Sequence, residues 1–265
     1  VSLHYPAPSP REGYQPIIDR AQAGLEYLDF GLLRLGQGMR HTLDFPEVEA
    51  ALVILGGTCH LTGEGFSWRD AGKRDSVFSG RATAAYLPAG SRVEVEGASR
   101  AVQIAVCTSP ARPGGKPQLV TPDEVSTRTV GSGTYEREVQ DIILDNVPAQ
   151  RLLVGETFNK PGCWSSYPPH KHDVANLPTE VKLEEVYYFQ VNPQQGFGIQ
   201  RIYSPEAGLD ESYAVQDGDT VIIPRGYHPV AAAPGYTVYY LWMLAGEERV
   251  MKPNDDPRHA WVKQA

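Results

Sequence analysis

Apolar residues in this chain come in short bursts rather than in long helical stripes. Glycine and proline, 26 and 22 of them, cut the sequence at close intervals. The segments left between these turn signals hold about 5 to 9 residues, which suits strands and is too short for ordinary helices. In the first half the pattern predicts strands over residues 50–55, 59–62, 81–87, 92–96 and 101–107. In the second half it predicts them over 141–144, 151–158, 186–191, 198–203, 220–223 and 236–244. The fold class expected is all-β.

Between the halves, the run TSPARPGGK at 108–116 reads as a linker, followed by a polar stretch over 121–138 with no strong period. This predicts two domains, 1–120 and 121–265. The second half repeats the rhythm of the first. Glu49 stands 39 residues before Pro88 of a Pro88-Ala89-Gly90 turn, and Glu185 stands 39 residues before Pro224 of Pro224-Arg225-Gly226. The same punctuation at the same offset is the mark of internal duplication. A pair of small β-barrels is the architecture this favours.

Composition then removes whole classes of function. The 265 residues suffice for one large or two small domains with a proper core. A formal charge of −8, with no cluster of basic residues, argues against nucleic acid as a partner. Apolar runs such as 239–245 fall far short of the roughly 20 residues of a spanning helix, so no membrane crossing is expected. The first residues carry charge and proline where a secretory signal has an apolar stretch, which makes the cytoplasm the expected location. Cys59, Cys107 and Cys163 are odd in number and widely spaced. They read as reduced thiols rather than a disulfide framework or a four-cysteine zinc site.

Candidate chemistry gathers in the second half. In an extended chain residues i and i+2 share a face, so His170 and His172 form a chelating pair while Lys171 points away. By the same period Glu185, Tyr187 and Phe189 face one way and Glu184, Val186 and Tyr188 the other. The aromatic rings mark the interior, making Glu185 the inward carboxylate and Glu184 the outward one. A third imidazole, His228, follows the Pro224-Arg225-Gly226 turn. Three imidazoles and a carboxylate suit a divalent transition metal, Zn²⁺, Mn²⁺, Fe²⁺, Co²⁺ or Ni²⁺, with positions left open for substrate. The aromatic run Tyr236, Tyr239, Tyr240 and Trp242 reads as strand packing rather than a sugar platform. No histidine pair precedes Glu49, so the N-terminal barrel is expected to lack the metal and to be structural or to help form a homo-oligomer.

Two histidines one residue apart, then a glutamate, then a Pro-x-Gly turn and a histidine resemble the two motifs of the cupin superfamily. There are departures. The spacer from His172 to Glu185 is long, Asn192 stands where a glycine is expected, and His228 comes one residue early after Gly226. Residues 165–173, 183–189, 226–229, 233–236 and 239–241 are similar to the 5-deoxy-glucuronate isomerases of myo-inositol catabolism. The likeness is strong over most of 155–260 and looser in the first half.

That resemblance implies a bicupin that interconverts 5-deoxy-D-glucuronate and 2-deoxy-5-keto-D-gluconate, with His170, His172, Glu185 and His228 as the metal ligands. It also implies Glu185 over Glu184, because a related uronate ketol-isomerase of pectin breakdown carries its glutamate in a Glu-Val-Tyr context. Moving a hydrogen between neighbouring carbons calls for polarised oxygens and either a base or a hydride shift. The substrate is a small sugar acid, so a cationic side chain is expected near it. Arg201, Lys171 and Arg225 are the nearest in sequence, and Arg201 is favoured because its strand follows the glutamate strand. Tyr187 shares the inward face with Glu185 and is the expected polar group at the substrate. The competing readings are a metal-dependent dioxygenase on the same ligands, another uronate ketol-isomerase, and a non-catalytic sugar-binding module. Retention of all four ligand residues argues against the last.

Overall fold

The computed structural model describes residues 2–264. Its only α-helix among the described residues is the four-residue turn Arg20–Ala23. Everything else regular is strand or short 3₁₀ turn, as the spacing of glycine and proline requires. No helix of the described residues is long and apolar enough to cross a membrane.

The chain forms two compact units. One holds residues 9–126 and 141–154; the other holds residues up to 8, 127–140 and those from 155 onward. The chain therefore changes unit at several points rather than once at 120/121. One reason is that the polar stretch 121–138, which follows the linker, holds the strand Ser126–Val130 and the start of Arg137–Ile143. The other is that strand His4–Tyr5 pairs with Val221 and Thr220 near the far end of the chain.

The first unit is built on a six-stranded antiparallel sheet. Its order is Gln118–Val120, Thr83–Leu87, Val48–Gly56, Ala101–Pro110, Asp29–Gly36 and Gly13–Ile18. A four-stranded sheet, Arg40–Phe45, Ser91–Gly97, Cys59–Gly63 and Phe66–Ala71, completes it. Leu33, Leu52 and Ile104 of the larger sheet share one buried cluster with Leu43, Leu61 and Val95 of the smaller. In Ser91–Gly97, Val93 and Val95 are buried while Arg92 and Glu94 are exposed, the alternation of a sheet with one wet face. Each large apolar side chain removed from water in this way contributes about 1.5–3 kcal/mol.

The second unit has a seven-stranded sheet in the order His4–Tyr5, Thr220–Ile223, Glu184–Asn192, Thr237–Ala245, Leu153–Asn159, Arg137–Ile143 and Ser126–Val130. Its smaller sheet runs Trp164–Ser165, Val230–Ala232, Gly198–Ser204 and Leu209–Val215. The internal duplication is visible in the pairing. Val48–Gly56 lies between the strand that leads into the Pro88 turn and a long later strand, and Glu184–Asn192 lies between the strand that leads into the Pro224 turn and a long later strand. Gly155 permits close packing beside this sheet, since a Cβ there would meet Trp242 at 2.1 Å.

Candidate metal centre

Six hydrogen bonds set the site's frame. The carbonyl of His172 accepts from the Leu183 amide at 2.9 Å, and His172 Nδ1 donates to the Leu183 carbonyl at 2.9 Å. Glu180 organises the long spacer, one oxygen accepting from the amides of Asp173 and Val174 and the other from Asn254 Nδ2. Asp173 Oδ1 accepts from the Gly226 amide at 2.8 Å, tying the histidine-pair segment to the turn before His228. Gly226 itself sits at φ +97°, where a Cβ would lie 2.8 Å from the Tyr203 carbonyl oxygen. Only glycine makes that turn without strain.

The geometry that results is specific. His228 Nδ1 bonds the Gly226 carbonyl at 2.8 Å, as His172 Nδ1 does the Leu183 carbonyl. A carbonyl only accepts, so both rings carry hydrogen on Nδ1, and a neutral ring then offers a lone pair at Nε2. Both Nε2 atoms face one atom, Glu185 Oε2, at 3.0 and 3.2 Å. All three side chains are buried, and His228 Nε2 makes no hydrogen bond despite its proximity to that oxygen. Burial would raise the Glu185 carboxyl, but the hydrogen bond with His172 and the proximity of both imidazoles hold it at about 2. For His172 burial works downward and is outweighed by Glu185, so its pKa rises. Lone pairs and a carboxylate converging in a dry place require a cation, either protons or a metal. The ligand atoms of His172, Glu185 and His228 lie within 4.8 Å of one another, a fit to a divalent ion with positions left open.

His170 stands beside this trio. Its ring lies edge-on to His228 at 4.8 Å between centroids and 6.4 Å from the ring of His172. Burial, then His228 and His172, push its pKa well below the ordinary value. The cluster opens into a cavity of about 520 Å³, also lined by Tyr187, Tyr240, Trp242, Arg128, Arg137 and Lys263. Tyr187 stacks on Tyr240 at 4.3 Å, and Ser166 Oγ lies 3.0 Å from the Tyr187 hydroxyl and 3.4 Å from that of Tyr240. Ser166 holds this place at φ +47°, a left-handed conformation that costs a non-glycine residue about 1 kcal/mol or more. Burial and the Glu185 charge raise the Tyr187 phenol well above its ordinary value, so it keeps its proton.

Arg201 is not at this site. Strand Gly198–Ser204 alternates so that Gly198, Gln200 and Ile202 are buried while Ile199 and Arg201 are exposed. Arg201 forms a double ion pair with Asp210 at 2.7 Å and lies over the Tyr203 ring, on the face away from the cluster. Lys171 pairs with Asp173 at 3.6 Å and Arg225 is exposed. Glu184, expected outward, is buried too, because its strand is covered on both faces. Tyr240 and Trp242, expected as packing, are buried in their strand and also border the cavity. The cavity's arginines come from the stretch judged to have no period. A signal was present there, since Arg128 alternates with Val130 and Arg137 with Val139, and all four line the cavity.

Two β-barrel units in one chain, the second enclosing a His/Glu cluster at a cavity of mixed aromatic, aliphatic and basic lining, define a bicupin with a candidate metal centre. The chain belongs to the KduI/IolB family, which matches residues 5–262. It is 40% identical over 265 residues to a 5-deoxy-glucuronate isomerase of Geobacillus kaustophilus, covering 99% of this chain and 96% of the relative. It is 36% identical over 247 residues to a 5-deoxy-glucuronate isomerase of Bacillus subtilis, covering 92% and 91%. The crystal structure of an IolB-like protein from Salmonella typhimurium superposes with a TM-score of 0.94 at 36% identity, covering 99% of both chains. An oxalate decarboxylase of Lactobacillus farciminis shares the fold at a TM-score of 0.71 and 14% identity, covering 96% of this chain and 88% of that one.

Proposed function

We propose that this chain is a divalent-metal-dependent aldose–ketose isomerase that interconverts 5-deoxy-D-glucuronate and 2-deoxy-5-keto-D-gluconate. The observation that carries the metal reading is the convergence of His172 Nε2 and His228 Nε2 on Glu185 Oε2 in a buried place, with the His228 atom left unbonded. The substrate reading draws on relatives that match this chain over almost its whole length.

His172, Glu185 and His228 would hold the ion, with His170 adjacent as the residue that would supply a fourth donor. When bound, Zn²⁺, Mn²⁺, Fe²⁺, Co²⁺ or Ni²⁺ supplies Lewis-acid polarisation of carbonyl and hydroxyl oxygens. The chain supplies the rest. The Tyr187 hydroxyl keeps its proton and donates to a substrate oxygen, positioned by Ser166 and by the stack on Tyr240. The aromatic and aliphatic walls, Trp242 and Leu244 among them, limit water around the reacting carbons.

The N-terminal barrel we read as metal-free. Its Glu49 carboxylate is consumed by Tyr86 and by the amides of Gln150, Arg151 and Leu152, and no imidazole shares it among the described residues. The test of the whole reading is to incubate metal-assayed protein with 5-deoxy-D-glucuronate under nitrogen and follow the ketose by NMR. Product that forms without oxygen and stops on chelation is the expected result. Absence of turnover, with oxygen uptake on another substrate in air, would overturn it in favour of an oxygenase.

A further inference from the structure

The cavity's charges do not balance, and the imbalance has one location. Glu185 is engaged by His172 and His228, and Asp255 by Lys263. Arg137 has no carboxylate partner among the described residues. Its Nη1 donates to two main-chain carbonyls, Tyr135 at 3.2 Å and Tyr167 at 3.0 Å. Those two bonds fix the guanidinium plane and leave Nε and Nη2 without a partner. The side chain lies in the wall of the same cavity as the histidine cluster, on the face of its strand that also presents Val139.

A guanidinium stays charged at any working pH, and enclosing it without a counter-ion is unfavourable. Burial lowers its pKa and the like charge of Arg128 adds to this, while the neighbouring Tyr240, Tyr187 and Tyr135 hydroxyls work the other way. Two parallel N–H groups held in a fixed plane match the two oxygens of a carboxylate. A uronate carries its carboxylate at one end of the carbon chain and its carbonyl at the other.

We propose that Arg137 binds the carboxylate of the sugar acid and thereby turns its carbonyl end toward His172, Glu185 and His228. This takes the role that the sequence suggested for Arg201. It rests on the isomerase reading only for which sugar acid is bound.

The test uses the metal-loaded protein, titrated calorimetrically with D-glucuronate and with D-glucose, in wild type, Arg137→Gln and Arg137→Lys. Loss of a charge-assisted bidentate contact is expected to raise the glucuronate Kd roughly 10- to 100-fold in Arg137→Gln and less in Arg137→Lys. The wild-type preference for glucuronate over glucose should shrink by the same factor, with Tm little changed. An unchanged glucuronate Kd in Arg137→Gln overturns the proposal. Equal weakening of both sugars with a fall in Tm also overturns it, since that is the signature of a residue that merely joins two loops. Glucuronate bound through Arg137 by a protein that does not convert 5-deoxy-D-glucuronate would sink the isomerase reading and leave this one standing. Conversion with an unchanged KM in Arg137→Gln would do the reverse.

Discussion

Replacing Glu49 by glutamine should unfold the first unit more easily and leave the chemistry of the second alone. The Glu49 side chain is fully buried, and each of its oxygens accepts two hydrogen bonds. Oε2 takes the Tyr86 hydroxyl at 2.8 Å and the Gln150 amide at 2.7 Å; Oε1 takes the amides of Arg151 at 2.6 Å and Leu152 at 2.8 Å. Glutamine has the same shape but turns one oxygen into an NH₂; placed at the Oε2 position it can still donate to the Tyr86 hydroxyl oxygen, but it faces the Gln150 amide, which is left without an acceptor. One buried amide donor is stranded and the bonds that remain lose their charge assistance, a loss of about 2–4 kcal/mol. For a protein of this size that lowers Tm on the order of 10 °C. Urea and thermal melts measure it, with hydrogen exchange at the amides of Gln150, Arg151 and Leu152 as the local readout. Metal content and turnover of the surviving fold should match wild type. Glu185→Gln should behave oppositely, losing metal and turnover first. A stability loss under about 1 kcal/mol in Glu49→Gln, or loss of metal together with stability, would refute this account.

Other consequences are as direct. His172→Ala should lose bound metal by elemental analysis and lose activity while keeping an all-β circular dichroism spectrum; full activity would be incompatible with the ligand assignment. Burial works against the Asp256 carboxylate, but hydrogen bonds from Arg258 and Tyr203 depress its pKa below the usual 3.8. Its contribution is therefore present above that value and lost as pH falls through the depressed one. The Tm gap between wild type and Asp256→Asn should be largest near neutrality and narrow below about pH 4, and a gap independent of pH would contradict the pairing. Burial raises the thiols of Cys59, to about 12, and of Cys107. Titration with a thiol reagent should therefore find Cys163 alone in the native protein and all three cysteines after denaturation.

The strands that were legible in the sequence were those bounded by glycine or proline. Residues 220–223 were placed to the residue, and 50–55 and 186–191 to within a few. Strands such as Asp29–Gly36 and Arg40–Phe45 were missed because their charged residues interrupt the apolar run, although each keeps a buried face. The site's three-residue heart was legible because a metal cluster needs particular side chains at particular offsets. The substrate cation was not. Arg201 was chosen by its strand's place in the chain order, but which face of a strand looks inward depends on alternation, and there Ile199 faces water while Gln200 is buried. Arg137 lay in a segment whose polar composition hid its period, since a strand that begins at a cavity wall carries polar side chains where a core strand would carry apolar ones.

The cavity wall is completed by a segment far along the chain from the histidine pair. The strand His170–Lys171 pairs with Asp255 and Asn254, and Met251, Pro253 and Lys263 stand in the cavity wall. The remaining wall residues, Asp255 apart, lie between Arg128 and Leu244 in the chain. Tyr203 donates to the Asp256 carboxylate and holds this segment in place. A chain truncated after residue 250 would keep His172, Glu185 and His228 but lose Met251, Pro253, Asp255 and Lys263 from the cavity wall, so the histidine–glutamate cluster and the full cavity are built by separable parts of the chain.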